Sequence, residues 1–188
     1  VVGTTPSSID LFDVNRDGVL DVVTSNAGSN NVSVLLGNAD GTLKAATNYS
    51  VSGTTPSDVR FYDVNRDGVA DIVTANEGSD NISVLFGNSN GTFKAATNYA
   101  TGDSPQELIL GDFNQDGIGD IAVTERGSDT VSVLYGESGG TFKSRVSMVA
   151  GNLPQGIAIG DLDSDGRIDI VGTASGWDQA NVLMGNGV

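Results

Sequence analysis

An all-β fold of tandem four-stranded sheets is what this sequence predicts, and three observations predict it. The stretch DVNRDGVAD (Asp63–Asp71) recurs as DVNRDGVLD from Asp13, DFNQDGIGD from Asp112 and DLDSDGRID from Asp161, so its first residue advances by 50, 49 and 49 positions. The prolines, at Pro6, Pro56, Pro105 and Pro154, keep the same steps, which makes the period a property of a whole unit rather than of the motif. Between the motifs lie short β-branched and aromatic runs broken by Gly, Asn and Asp turns, the pattern of strands rather than helices. The repeats are 1–50, 51–100, 101–149 and 150–188, and the first two match at about two thirds of positions.

Each repeat reads as four strands. In the second, strand A is SDVRFYDV, leading into the acidic motif, and strand B is ADIVTAN, leaving it. After the turn EGSD comes strand C, NISVLFGN, and after SNG comes strand D, TFKAATNYA. Strand C is apolar on both faces: Ile82, Val84 and Phe86 point one way and Leu85 the other, so both sides must be covered. Leu35, Leu85, Leu134 and Leu183 share one repeat position, as expected if each sheet is sandwiched between copies of itself. Four-stranded antiparallel sheets of about 50 residues stacked face to face are blades of a β-propeller. A stacked β-solenoid is the runner-up, and its coils are shorter than this period.

The fourth repeat stops just past its strand C, so the last blade is expected to lack its outer strand. Such a chain closes by packing alone, forms part of a larger ring, or completes a ring with another copy, which makes a homo-oligomer one expected partner. The amino end, VVGTTPSSID, has neither an initiator Met nor a signal pattern and reads as a processed or excised piece. No apolar run has the length of a membrane span, so no membrane insertion is expected.

Composition narrows the chemistry. The net charge of −15 argues against nucleic acid as a partner, since both carry the same sign. Of 24 acidic residues 13 lie inside the four motifs, so the acidity is local and bound cations would remove most of it. There is no Cys and no His, which excludes disulfides, thiolate chemistry, Ser-His-Asp catalysis and imidazole zinc sites.

The motif suits a hard cation. In DVNRDGVAD the side-chain oxygens of Asp63, Asn65 and Asp67 converge, Gly68 permits the sharp turn, Val69 offers its backbone carbonyl and Asp71 closes the cage. Several carboxylates with neutral oxygen donors in a loop favour Ca²⁺ over the stricter octahedron of Mg²⁺. An EF-hand needs Glu at position twelve and flanking helices; here that position holds Thr24, Thr74, Val123 or Gly172, between strands.

With its carboxylate at position nine, a following Phe86-Gly87 (varied to Leu36-Gly37, Tyr135-Gly136 and Met184-Gly185) and a Gly-x-x-Pro turn such as Gly53–Pro56, the repeat resembles the FG-GAP or VCBS type of integrin α-chain-like propellers. The resemblance covers essentially the whole chain and implies one calcium loop per blade. It implies as ligands Asp13, Asn15, Asp17, the Val19 carbonyl and Asp21 in the first loop, and Asp63, Asn65, Asp67, the Val69 carbonyl and Asp71 in the second. In the third it implies Asp112, Asn114, Asp116, the Ile118 carbonyl and Asp120, and in the fourth Asp161, Asp163, Asp165, the Arg167 carbonyl and Asp169. The fourth loop has four carboxylates where the others have three, and should attract the ion most strongly unless Arg167 offsets it. The resemblance further implies an extracellular or cell-surface setting with roles in adhesion or recognition, and, since some lectins share such repeats, sugar binding.

Other features carry less. Trp177 stands in a B–C turn where the other repeats have Ser29, Ser79 and Ser128; it either stacks on a ligand or covers an exposed face. Acids outside the motifs, such as Glu77, Glu107, Glu125 and Glu137, are expected mostly in turns or loops with no evident partner, so no catalytic carboxylate pair is nominated and no enzyme is expected. The functional expectation is a calcium-stabilised, non-catalytic β-propeller scaffold binding protein or glycan, with a lectin or an accessory domain of a polysaccharide-active enzyme as alternatives.

Overall fold

The computed structural model describes residues 1–185, so the end of the fourth repeat, as bounded above at Val188, lies outside the described residues. Among the described residues every regular element is a strand. The chain forms two compact units, Val1–Asp63 with Asp67–Tyr99, and Val64–Arg66 with the chain from Ala100 onward.

The first unit holds two blades. β1 (Pro6–Phe12), β2 (Asp21–Asn26), β3 (Asn31–Leu35) and β4 (Thr47–Ser50) form one antiparallel sheet in sequence order. β5 (Pro56–Tyr62), β6 (Asp71–Asn76), β7 (Asn81–Leu85) and β8 (Thr97–Ala100) form the second in the same way. In the second unit β9 (Pro105–Gly111), β10 (Asp120–Glu125) and β11 (Thr130–Leu134) are followed by a small hairpin, β12 (Gly136–Glu137) and β13 (Thr141–Phe142), and by β14 (Val146–Val149), which completes the third blade beside β11. β15 (Pro154–Gly160), β16 (Asp169–Ala174) and β17 (Gln179–Leu183) form a three-stranded fourth sheet.

Each first strand starts at its repeat's proline, and beside it the ladder slips register. Proline has no N–H to give, so it fits only at a strand start or an irregularity. The second strand of each blade is the most deeply covered, with β2, β6 and β10 buried along their whole length.

Strand C is covered on both faces as its pattern requires: Ile82, Ser83, Val84 and Leu85 are all buried. The cover within the first unit is the neighbouring blade. Val59, Phe61 and Ala70 of the second blade join Val14, Val23, Val32 and Val34 of the first in one apolar cluster, each valine or phenylalanine contributing about 1.5–3 kcal/mol by leaving water. Phe12, Phe61, Phe93 and Tyr49 link in a chain of ring contacts 5.6–6.2 Å between centroids. The second unit has its own cluster around Phe113, Ala122, Val131, Val133, Ala150 and Ile170, against which Ile157, Ile159, Ile168 and Leu183 pack.

Strand D corrects the sequence reading. The expected strand over 92–100 is broken: β8 keeps only Thr97–Ala100, while Phe93 bridges Gly87 and Lys94 N–H donates to Phe86 O at 2.8 Å. The Asn90-Gly91 hairpin turn returns Phe93 to Gly87, and the ladder then lapses over Lys94–Ala96. Asn90 Oδ1 accepts from the Thr92 hydroxyl and amide, Gly91 adopts φ 77°, and the reversal drops Phe93 into the core.

Candidate functional site

The acidic loops join strands A and B. In all four the fourth motif position is left-handed although it is not glycine (Arg16 φ 60°, Arg66 59°, Gln115 59°, Ser164 63°), and so is the sixth, the glycine. This double turn points successive amides inward. Asp13 Oδ1 accepts the Asp17 N–H at 3.1 Å and its Oδ2 the Gly18 N–H at 2.8 Å. Asn15 Oδ1 also accepts from Asp17 N–H, and Asp17 Oδ1 from Val19 N–H. The fourth loop repeats these bonds through Asp161, Asp163 and Asp165, and the second repeats those of its first and fifth positions.

The third loop differs at one atom. Asp112 Oδ2 accepts the Gly117 N–H at 2.7 Å, but Asp112 Oδ1 is buried with no hydrogen-bond partner. A buried carboxylate oxygen without a donor is costly. A cation in the loop would answer it.

The ninth position does a second job that the sequence reading missed. Asp21 is fully buried, and its Oδ2 accepts the Val14 N–H at 3.0 Å while its Oδ1 accepts the Gly37 N–H at 2.8 Å. Asp120 does the same with Phe113 and Gly136, Asp169 with Leu162 and Gly185, and Asp71 binds Gly87. Burial raises the pKa of Asp120 in spite of its two amide bonds, whereas the bonds from Gly185 and Leu162 lower that of Asp169.

Among the described residues, carboxylates gather as a possible metal group in the fourth loop, where oxygens of Asp161, Asp163 and Asp169 lie within 4.8 Å of one another. In the first and third loops the third position is Asn, whose Nδ2 donates to the fifth-position carboxylate (Asn15 to Asp17, 3.1 Å; Asn114 to Asp116, 3.0 Å). Asp163 has no such proton to give, so the fourth loop lacks that side-chain bond. Arg167 reaches Asp165 only at 3.9 Å, with both side chains well exposed, and offsets little of its charge. The donor chemistry fits a hard divalent cation.

Of the acids expected mostly in turns or loops, Glu77 lies in a turn, and the other three correct the expectation. Glu125 is buried in β10, where Oε1 accepts the Gly102 N–H, Oε2 accepts from the Thr130 hydroxyl and the Arg145 guanidinium stands 3.6 Å away. Glu107 lies in β9 and accepts the Ile157 N–H; Glu137 lies in β12 and accepts from Thr141. The signal for Glu125 was present in the repeats: Asn26 and Asn76 pair there with Ala46 and Ala96 elsewhere in the unit, and the third repeat changes both, to Glu125 and Arg145.

Trp177 is half exposed and leans on its own repeat's entry turn, where a Cβ at Gly151 would come 2.9 Å from the indole. A cavity of about 400 Å³ is lined by Asn114, Tyr135, Lys143 and Val146. Burial, then the negative charge of Asp120, raises the pKa of Tyr135 there.

The model of the FG-GAP-like repeat family matches residues 13–74, 63–123 and 112–172, each match beginning at the first aspartate of a loop. The chain belongs to the FG-GAP-like repeat family. A comparison with curated proteins gives no match. Among solved structures this FG-GAP-like chain is similar to a functionally unknown protein from Desulfotomaculum acetoxidans DSM 771, with TM-score 0.73 and 16% identity over 97% of this chain and 56% of that one. It is also similar to a streptogramin B lyase, with TM-score 0.59 and 20% identity over 95% of this chain and 54% of that one. Part of the Photorhabdus luminescens Tc holotoxin pore matches with TM-score 0.52 and 16% identity, over 93% of this chain and 9% of that one. At these identities the likeness shows the fold alone. The chain spans about half the length of the first two. Family and fold together make it a repeat scaffold of propeller-type blades.

Proposed function

We propose that this chain is a calcium-stabilised, non-catalytic binding or adhesion scaffold acting outside the cell or at its surface, with protein or glycan as its ligand. The observation that carries the reading is the convergence of Asp161, Asp163 and Asp169 oxygens within 4.8 Å, on a loop whose pattern recurs in every repeat. The ion would be held by the first, third, fifth and ninth side chains and the seventh carbonyl of each motif. It would supply positive charge to a chain of net −15, and four ions would bring that to −7. Extracellular modules bind calcium at about 10⁻⁴–10⁻³ M, a range that fits exposed loops of this kind.

Rigid blades with strained, preorganised loops suit display rather than turnover. The buried carboxylates Asp58 and Glu125 each have an arginine, Arg60 at 3.1 Å and Arg145 at 3.6 Å, instead of facing a cleft as a general base. Thermal unfolding with excess calcium and with chelator tests the reading: calcium should raise Tm, and calorimetric titration should approach four ions per chain. Identical melting curves would remove the structural ion.

A lectin is the second reading, favoured by the cavity at Asn114, Tyr135, Lys143 and Val146, which offers a ring, an ammonium and an amide to a sugar. Binding to a glycan array that Tyr135→Ala abolishes would support it, and a blank array would leave protein as the ligand. An accessory role beside a polysaccharide-active domain would appear as polysaccharide affinity without hydrolase or lyase activity.

A further inference from the structure

The first and fourth blades each present a sheet face whose counterparts elsewhere in the chain are buried. On the first blade Ile9, Leu11 and Leu20 are 60, 52 and 60% exposed, whereas their counterparts on the second, Val59, Phe61 and Ala70, are 0, 8 and 5% exposed against the first blade. On the fourth blade Leu162 and Val182 are 56 and 48% exposed, whereas Val14 and Val34 of the first blade are 2 and 3% and Phe113 and Val133 of the third are 7 and 1%. Met184, also half exposed, stands where Leu36 and Tyr135 are partly buried against their clusters.

Within the first unit the glycine contacts follow the same division. A Cβ at Gly91 would meet Asn15 and Leu36 of the preceding blade, and one at Gly68 would meet Arg16; at the matching Gly41 and Gly18 of the first blade there is nothing within 4 Å. Asn30 Oδ1 accepts the Thr55 N–H at 2.8 Å, and Asp129 Oδ1 accepts the Leu153 N–H at 2.9 Å. The corresponding groups at the two ends are the carboxylate of Asp178 and the amide of Thr5.

We propose that these faces mate head to tail between two copies of this chain, the fourth blade of one copy covering the first blade of the next. The occupant follows from continuity with the interface inside the chain. The face on the first blade is the one the second blade offers to the first, and the face on the fourth is the one the third offers to the fourth, so each end carries the partner surface that the other lacks. A contact of this kind is heterologous and either closes a ring or extends. It rests on packing and holds whether or not the loops bind calcium. Like charge on the copies opposes it, so it is expected at about 0.15 M salt, where the Debye length is about 8 Å.

Sedimentation velocity of the chain between about 1 µM and 1 mM reads the association. The expected result is a mass that rises with concentration to at least twice the 19.2 kDa of one chain. Ile9→Asp and Val182→Asp, or the milder Ile9→Ser and Val182→Ser, alter exposed side chains, and each alone should stay at the single-chain mass with the β-sheet circular dichroism intact. An equimolar mixture of Ile9→Asp and Val182→Asp keeps one intact face of each kind and should recover twice the single-chain mass and no more. A single-chain mass for the parent at every concentration overturns the proposal and gives both faces to further blades of a longer polypeptide. Assembly that survives both substitutions, or a mixture that stays at the single-chain mass, overturns it equally.

Discussion

Gly37 gives its backbone N–H to Oδ1 of Asp21 at 2.8 Å, tying the end of the acidic loop to the glycine two residues beyond strand C. The other oxygen of Asp21 holds the Val14 amide, so one buried carboxylate fastens three segments of the blade. Asp21→Asn keeps the shape but leaves one acceptor oxygen for two donors and turns an NH₂ toward an N–H. The expected cost is about 2–3 kcal/mol. Urea denaturation in chelator isolates it from any metal effect; an unchanged midpoint there would mean that Asp21 serves the ion alone.

The glycine after strand C is required by its own carboxylate bond. With the Gly87 amide held 2.8 Å from Asp71, a Cβ on Gly87 would stand 2.2 Å from the Ala70 carbonyl oxygen, a backbone atom that cannot swing aside. Gly87→Ala should therefore cost about 3 kcal/mol or more. Gly166, in open space at φ 84°, should cost only about 1–2 kcal/mol on the same change, from the left-handed backbone. Melting curves of the two variants check the order, and a Gly87→Ala protein as stable as Gly166→Ala would contradict this account.

The third blade replaces a neutral polar contact with a charged one. Asn26 Nδ2 donates to Asn31 and Ser33, whereas Glu125 at the same place is buried beside Arg145, which also bonds Ser132 and Ser147. Arg145 is about a third exposed and the pair is long, so solvent screening reduces its value to about 1–2 kcal/mol. Arg145→Ala should lose that amount by stranding a buried carboxylate, and Glu125→Asn in the Arg145→Ala background should regain much of it. A double-mutant cycle by urea denaturation reads the coupling, and additive losses would show that the two side chains act separately.

The four-strand unit and the acidic loop were legible because each depends on local order: the proline at Pro56, apolar residues on both faces of Ile82–Leu85, and oxygen donors at fixed offsets from Asp63. What escaped the sequence depends on residues distant along the chain. The bond by which Asp71 holds the Gly87 amide, sixteen residues away, leaves no trace in the motif. Glu125 reads as a loop acid because its partner, Arg145, belongs to another strand connection.

Charge should decide which loop binds calcium best. The fourth loop brings Asp161, Asp163 and Asp169 together, while Asn15 and Asn114 spend an amide proton on quieting their neighbours. Asp163→Asn would give the fourth loop the donor set of the others, and should weaken its calcium affinity by roughly tenfold, about 1.4 kcal/mol. Arg167→Ala removes a cation that stands 3.9 Å from Asp165 and is itself exposed, and should strengthen binding less than twofold. Calorimetric titration of the two variants beside the parent measures both effects. Equal affinities in the parent and Asp163→Asn would mean that the third motif position does not face the ion, and the ligand set would then have to be drawn from the first, fifth and ninth positions alone.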